Sequence, residues 1–224
     1  MALTLFDLDH TLLDGDTNAL WLSYLVSRAL LPAEVLQQQE DYMARYQAEQ
    51  LDIADYLAFQ LGLLAPISLE AWEPVRHEFV RTIIAPRVSM SAWQAIATHC
   101  ARGDRMVIMT ATHSFLADLI GEMLGLRVIA PKAAQRDGHL TGEIDGPICF
   151  RDQKLVCLKV WLAEQELDAS LIDEARFYSD SINDLPTLEA VAEPIVVNGD
   201  KPLTIIARER GWPTQTWRVP ALAQ

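Results

Sequence analysis

Lysine is scarce in this chain of 224 residues, which has only Lys132, Lys154, Lys159 and Lys201. Chemistry that needs an ammonium therefore has few candidates. Positive charge as a whole is outweighed, with 18 Lys and Arg against 31 Asp and Glu and a formal net charge of −13. Nucleic acid is bound through Lys and Arg on its phosphates, so that class of partner is not expected. Cysteine is equally sparse: Cys100, Cys149 and Cys157 form no CxxC pair and no even set. Buried thiols in a reducing cytosol fit that count better than disulfides or a zinc framework. No basic region followed by an apolar core opens the chain, since acids arrive at Asp7 and Asp9. The most apolar stretch, TNALWLSYLVS, spans only residues 17 to 27, against the roughly 20 residues a membrane span needs. A cytoplasmic protein without membrane contact is the expectation.

What the chain does have is a core. Half its residues are apolar and 22% are charged, and a chain this long buries roughly 70% of its unfolded surface. It needs no structural metal, so a bound metal would be catalytic. Short, continuously apolar runs at 3–8, 105–110, 126–130, 176–179 and 194–198 read as strands buried on both faces. Helical stretches separate them. SAWQAIATHCARG begins after Ser89 or Ser91 and stops at Gly103, and SFLADLIGEMLG stops at Gly125. The alternation predicts an α/β protein with a doubly wound, Rossmann-like parallel sheet, whose ligands sit at the carboxyl ends of the strands. Residues 138–148 read as a further hairpin.

One segment interrupts the alternation. Between the first two strands lie four helical patterns, at 18–31, 33–47, 52–64 and 69–84, far more chain than a crossover requires. They predict a helical cap over the ligand edge. The expected division is a core of residues 1–13 and 86–224 and a cap of residues 14–85. The cap carries eleven acidic residues against Arg28, Arg45, Arg76 and Arg81, and no lysine. Trp21, Trp72, Trp93 and Trp161 fall in helical patterns and read as packing residues.

Polar groups gather where strands end. The first strand runs into FDLDHTL, whose Asp7 and Asp9, two residues apart on an extended chain, repel one another unless a cation lies nearby. Oxygen ligands with several waters suit Mg²⁺ better than zinc. The second strand ends in VIMTATHS, offering the Thr110 hydroxyl and helix-start amides from Ala111 onward, a ready anion site. In FRDQKLVCLKVWL, Asp152 reads as a cap and Lys154 sits in the first turn, where a cation opposes the helix dipole unless an anion is bound. The fourth strand runs into FYSDSINDLPTL, with Asp180, Asn183 and Asp184, the last able to cap the helix that follows. Each signal alone is modest. Together they converge on one pocket suited to a phosphoryl group.

Those four motifs, in that order and over nearly the whole chain, resemble the haloacid dehalogenase superfamily of phosphatases. The resemblance is to the phosphoserine-phosphatase-like branch with a helical cap. It implies that Asp7 is the nucleophile and a Mg²⁺ ligand, and Asp9 the acid/base whose carbonyl also meets the metal. Asp180 would be the third protein ligand, and Asp184 would hold water bound to that metal. Thr110, Ala111, Lys154 and Asn183 would grip the phosphoryl oxygens. Two departures stand out: Ser179 replaces the Gly that usually begins the last motif, and the cap arginine that binds a substrate carboxylate in phosphoserine phosphatases falls near Gln60, although Asp16 matches the cap acid. The chain is also similar to bacterial histidinol-phosphate phosphatases of this branch. A small amino-alcohol phosphate, best histidinol phosphate, is therefore the expected substrate, with phosphoserine or another small metabolite ester as the alternative.

His113 and His10 flank these motifs and could touch ligand, although neither has a metal-spaced partner. A phosphoaccepting signalling module would share the acids, hydroxyl and lysine but lack Asp9 and the cap. A phosphotransferase or mutase would pass the phosphoryl group to an acceptor. The expected assembly is a monomer or homodimer.

Overall fold

The computed structural model describes residues 2–220. The outermost residues of the expected core, 1 and 221–224, lie outside the described residues. The strands are β1 (Leu3–Phe6), β2 (Arg105–Met109), β3 (Arg127–Ile129), β4 (Lys132–Arg136), β5 (His139–Asp145), β6 (Arg176–Ser179), β7 (Glu193–Val197) and β8 (Thr214–Gln215). Six of them form a parallel sheet in the order β3-β2-β1-β6-β7-β8, and β4 and β5 pair as a separate antiparallel hairpin. The two-residue β8, exposed and without an apolar run, was not anticipated.

Side chains alternate across the sheet. Phe6, Ile108 and Tyr178 stand in register and pack on one face, while Leu5, Val107 and Phe177 pack on the other. Burial on both faces explains why these runs are continuously apolar. Helices flank them: α5 (Met90–Ala101), α6 (Ser114–Leu124), α7 (Gln153–Glu164), α8 (Leu185–Ala190) and α9 (Lys201–Arg210). The Ser89 hydroxyl caps α5 by accepting from the Ala92 N–H, and Gly125 ends α6 with φ +69°, a conformation open to glycine. Asp152 does not cap α7. Its backbone is helical and its side chain makes no capping bond, because main-chain bonds from Gln153 to Phe150 and from Lys154 to Arg151 already wind the chain.

Between β1 and β2 run α1 (Thr17–Ser27), α2 (Glu34–Gln47), α3 (Ile53–Leu64) and α4 (Leu69–Phe79). The last does not continue as an α-helix to 84. Val80–Ile84 widens into a π turn, with the Ala85 N–H donating to the Val80 carbonyl, and Ala85–Arg87 tightens to a 3₁₀ turn around Pro86. Trp21 and Trp72 are buried where these helices meet α6, and Trp161 is buried beneath the sheet, whereas Trp93 is exposed. The β4–β5 hairpin leans on the cap: the Leu69 N–H donates to the Gly138 carbonyl at 2.8 Å, and the backbones of Gly142 and Gly62 come close.

Strand order reverses beside β1, whose neighbours β2 and β6 belong to the two halves of the winding. A crevice opens at such a point above the carboxyl ends.

Helix α6 tests how tightly this frame is packed. A methyl at Gly121 would stand 2.9 Å from the Leu126 carbonyl oxygen and closer still to the Val128 side chain. Gly121→Ala should cost about 1–3 kcal/mol despite its better helix propensity, read as a lower urea midpoint.

Candidate active site

The chain leaves β1 at Asp7, whose N–H still donates to the Tyr178 carbonyl at 2.9 Å. Its carboxylate consequently emerges at the crevice, between the end of β2, where Thr110 follows, and the end of β6, where Asp180 follows. Lys154 reaches the same point from the first turn of α7. Its Nζ donates to Asp7 Oδ1 and Asp184 Oδ2, each at 2.7 Å. The ammonium is only 3% exposed, and the Phe177 ring lies beneath it. Burial alone would lower the pKa of this group, but Asp184 and Asp7 raise it above its ordinary value.

The acids are crowded. Burial pushes the Asp7 carboxyl up to about 7 against the pull of Lys154, with Asp184 and Asp9 adding repulsion. Burial, Asp7 and Asp184 likewise hold Asp180 well above the usual carboxylate range, although the Thr11 hydroxyl donates to its Oδ1 at 3.2 Å. Asp9 is held on both sides. Its Oδ1 accepts from the N–H and hydroxyl of Thr17, and its Oδ2 accepts from the Thr112 hydroxyl at 2.6 Å. Asp184 does not cap α8, because its carboxylate faces inward to Lys154 and to the Ser179 hydroxyl, 2.6 Å away. The serine that replaces a glycine thus takes part in fixing this acid.

A cavity of about 370 Å³ joins these groups to the cap. Asp7, Asp9, Thr110, Ala111, Lys154, Asp180, Asn183 and Asp184 all line it, as does Asp16. Gln60 and His113, expected as substrate contacts, do not. Gln60 is buried within the cap and donates from Nε2 to Gln39 Oε1 at 2.7 Å. His113 is fully buried beside Phe115, and burial lowers its imidazole to about 4. Thr110 and Ala111, three and two residues earlier, line the cavity instead. His10 does line the cavity.

Several residues with no sequence signal line the cavity, as Tyr46 does, or stand behind its wall, as Arg151 does. Tyr46 of α2 meets Asn183 and Ser181, and Arg151 meets Asn183, across separations of 137, 135 and 32 residues. Thr17 and Thr112 were legible only as neighbours of Asp16 and Thr110. Met43, Leu51, Ile53, Tyr56 and Phe150 form an apolar side.

The donor set suits Mg²⁺. No group of three or more acidic, imidazole or thiolate side chains placed to hold a metal occurs among the described residues; the two carboxylates Asp7 and Asp180, which both line the cavity, could hold one. Mg²⁺ commonly takes one or two carboxylates and keeps waters. Five acids and a single lysine line the cavity, so a divalent cation would relieve the repulsion that raises Asp7 and Asp180.

Asp16 offers a pH test at the cap end. Its Oδ1 accepts from the Ala19 N–H at 2.7 Å, yet burial and then the nearby Asp9 push its carboxyl up to about 7. The folded protein therefore holds a proton that the unfolded chain releases near 3.8, and the stability so gained fades as pH rises from there to about 7. Asp16→Asn should leave the thermal midpoint unchanged near pH 4 and raise it above pH 7. The gain should be about 1–2 kcal/mol, since solvent in the cavity screens part of the repulsion.

Comparison with known proteins agrees with this geometry. Residues 4–189 match the haloacid dehalogenase-like hydrolase family. A Neisseria meningitidis serogroup C protein named histidinol-phosphatase is 33% identical over 96% of this chain and 99% of its own. A Mycobacterium tuberculosis phosphoserine phosphatase is 26% identical, over 97% of this chain and 71% of its own. A crystal structure from Bordetella pertussis Tohama I, of a protein described as having unknown function, shares 40% identity and a TM-score of 0.89 over 96% of this chain and 97% of that one. A substrate-bound phosphoserine phosphatase has the same fold at 18% identity and a TM-score of 0.69, over 97% and 93%. The chain belongs to the haloacid dehalogenase-like hydrolases, and it is a phosphoric monoester hydrolase of that family.

Proposed function

We propose that the protein is a Mg²⁺-dependent phosphatase that acts through an aspartyl-phosphate on a small amino-alcohol phosphate, histidinol phosphate being the best fit. The observation that carries the substrate assignment is the cavity wall. Among the described residues Lys154 is the only Lys or Arg that lines it, and that ammonium is already bonded to Asp7 and Asp184. None of the described lining residues is a free Lys or Arg for a substrate carboxylate, which phosphoserine has and histidinol phosphate lacks. Asp16 suits an amine, and the side formed by Met43, Leu51, Ile53, Tyr56 and Phe150 suits a flat ring. The Neisseria relative's name supports the same reading.

In this mechanism Asp7 attacks phosphorus in line and the ester oxygen leaves. Lys154 and the Thr110 hydroxyl offset charge on the phosphoryl oxygens, with Asn183 and the Ala111 amide beside them. Mg²⁺, held by Asp7, Asp180 and the Asp9 carbonyl, would supply further positive charge at the phosphoryl group. Asp9 gives a proton to the departing alkoxide, then draws one from the water that cleaves the aspartyl-phosphate. Thr17 and Thr112 fix the direction in which its carboxyl points. The Asp9 acid distinguishes this cycle from a signalling module, whose acyl-phosphate must persist.

Three measurements test the reading. Phosphate release should vanish with Asp7→Asn and with excess chelator, and undiminished release in either case would contradict it. Phosphate should appear free in water, not on an added alcohol, as a transferase would place it. Among a panel of amino-acid, sugar and amino-alcohol phosphates, histidinol phosphate should exceed phosphoserine in kcat/KM by about tenfold or more, the factor that about 1.4 kcal/mol of transition-state binding gives. The reverse order would remove the substrate assignment.

A further inference from the structure

Asn183 reaches the cavity with both ends of its amide engaged. Its Oδ1 accepts from Arg151 Nε at 2.9 Å, and its Nδ2 donates to the Tyr46 phenol at 3.0 Å and to Ser181 Oγ at 3.3 Å. The Tyr46 and Ser181 oxygens are 3.1 Å apart. Ser181 and Asn183 stand immediately beyond β6, whereas Tyr46 is the penultimate residue of α2 in the cap. This one side chain therefore spans from the cap to the turn that carries Asp180, Asn183 and Asp184.

The contact is supported from behind. Phe150, from the loop before α7, lies with its ring 6.4 Å from that of Tyr46, and the Arg151 guanidinium lies over Phe150 at 5.1 Å. Arg151 itself adopts φ +52°, a left-handed conformation that a non-glycine residue takes only at some cost. That conformation places its Nε on Asn183. Residues 49–53, which join α2 to α3, form a shared surface groove with residues 148–153, so cap and core meet along this line.

We propose that Tyr46 is a latch: its phenol, seated between Ser181 and Asn183, holds the cap against the core and, with Arg151, fixes the Asn183 amide at the phosphoryl site. It is a positioning residue. When the cap lifts, Tyr46 leaves and Asn183 Nδ2 loses its strongest acceptor, so the turn that carries Asp180, Asn183 and Asp184 is held in place only beneath a closed cap. The catalytic consequence rests on the phosphatase reading; the latch does not.

Tyr46→Phe keeps the ring against Phe150 and removes only the phenolic oxygen. In the intact ligand-free protein, amide hydrogen exchange should quicken about fivefold in residues 43–53 and 181–184, the factor expected for about one lost hydrogen bond, with the central strands unchanged. KM for the best phosphate ester should rise about fivefold while kcat stays within about twofold. Exchange and KM indistinguishable from the parent protein, with Tyr46→Leu alone impaired, would reduce Tyr46 to a packing role and overturn the latch. If the parent protein releases phosphate from no ester, the phosphatase reading fails, and the exchange arm still decides the latch.

Discussion

A buried ammonium between two buried carboxylates holds this molecule's functional end together. Lys154 bridges Asp7, at the end of β1, and Asp184, beyond the end of β6, with almost no solvent on any partner. Removing one member of such a set leaves an uncompensated buried charge, at a cost of about 3–5 kcal/mol, whereas a well-packed apolar replacement of the whole set is often neutral. The arrangement is therefore poorly explained by stability. It holds a carboxylate and a cation at one point before any ligand arrives.

That constraint shapes what surrounds it. One lysine does not balance five acids, so the site carries an excess of negative charge that a divalent cation and a cationic substrate can both relieve. The excess is not spread evenly. Hydroxyl and N–H donors hold Asp9, and Lys154 and Ser179 hold Asp184, while burial and mutual repulsion make Asp7 and Asp180 weaker acids than ordinary carboxyls. Among the described residues that line the cavity, the cap adds Asp16 and an apolar wall but no Lys or Arg. On the proposed reading, electrostatics and shape together favour an ester that is anionic at the phosphoryl end and positive or flat at the other.

Much of this was legible along the chain. Continuous apolar runs marked the five longer-range strands because both sheet faces are buried, and the acids and hydroxyl stood directly after them. The parallel winding then brings those ends to one edge. The readings that went astray share a cause. Asp152 and Asp184 were plausible helix caps by local pattern, but a main-chain turn served the first and Lys154 and Ser179 claimed the second. Gln60 and His113 sit at suggestive positions in sequence, yet Gln60 lies on a buried face of α3 and His113, the extended residue before α6, is fully buried, so neither lines the cavity.

Sequence by itself determined the fold class and the helical stretch between the first two strands, and it singled out candidate residues at the strand ends, since hydrophobic period and residue type are local properties of the chain. Only the tertiary structure decided that Lys154 is buried between two acids, that Ser179 serves Asp184, and that Tyr46 of the cap meets Asn183 of the core. Those contacts join residues 30, 5 and 137 positions apart. Their partners are chosen by how strands and helices pack in space, where distance along the chain carries no information about distance between atoms.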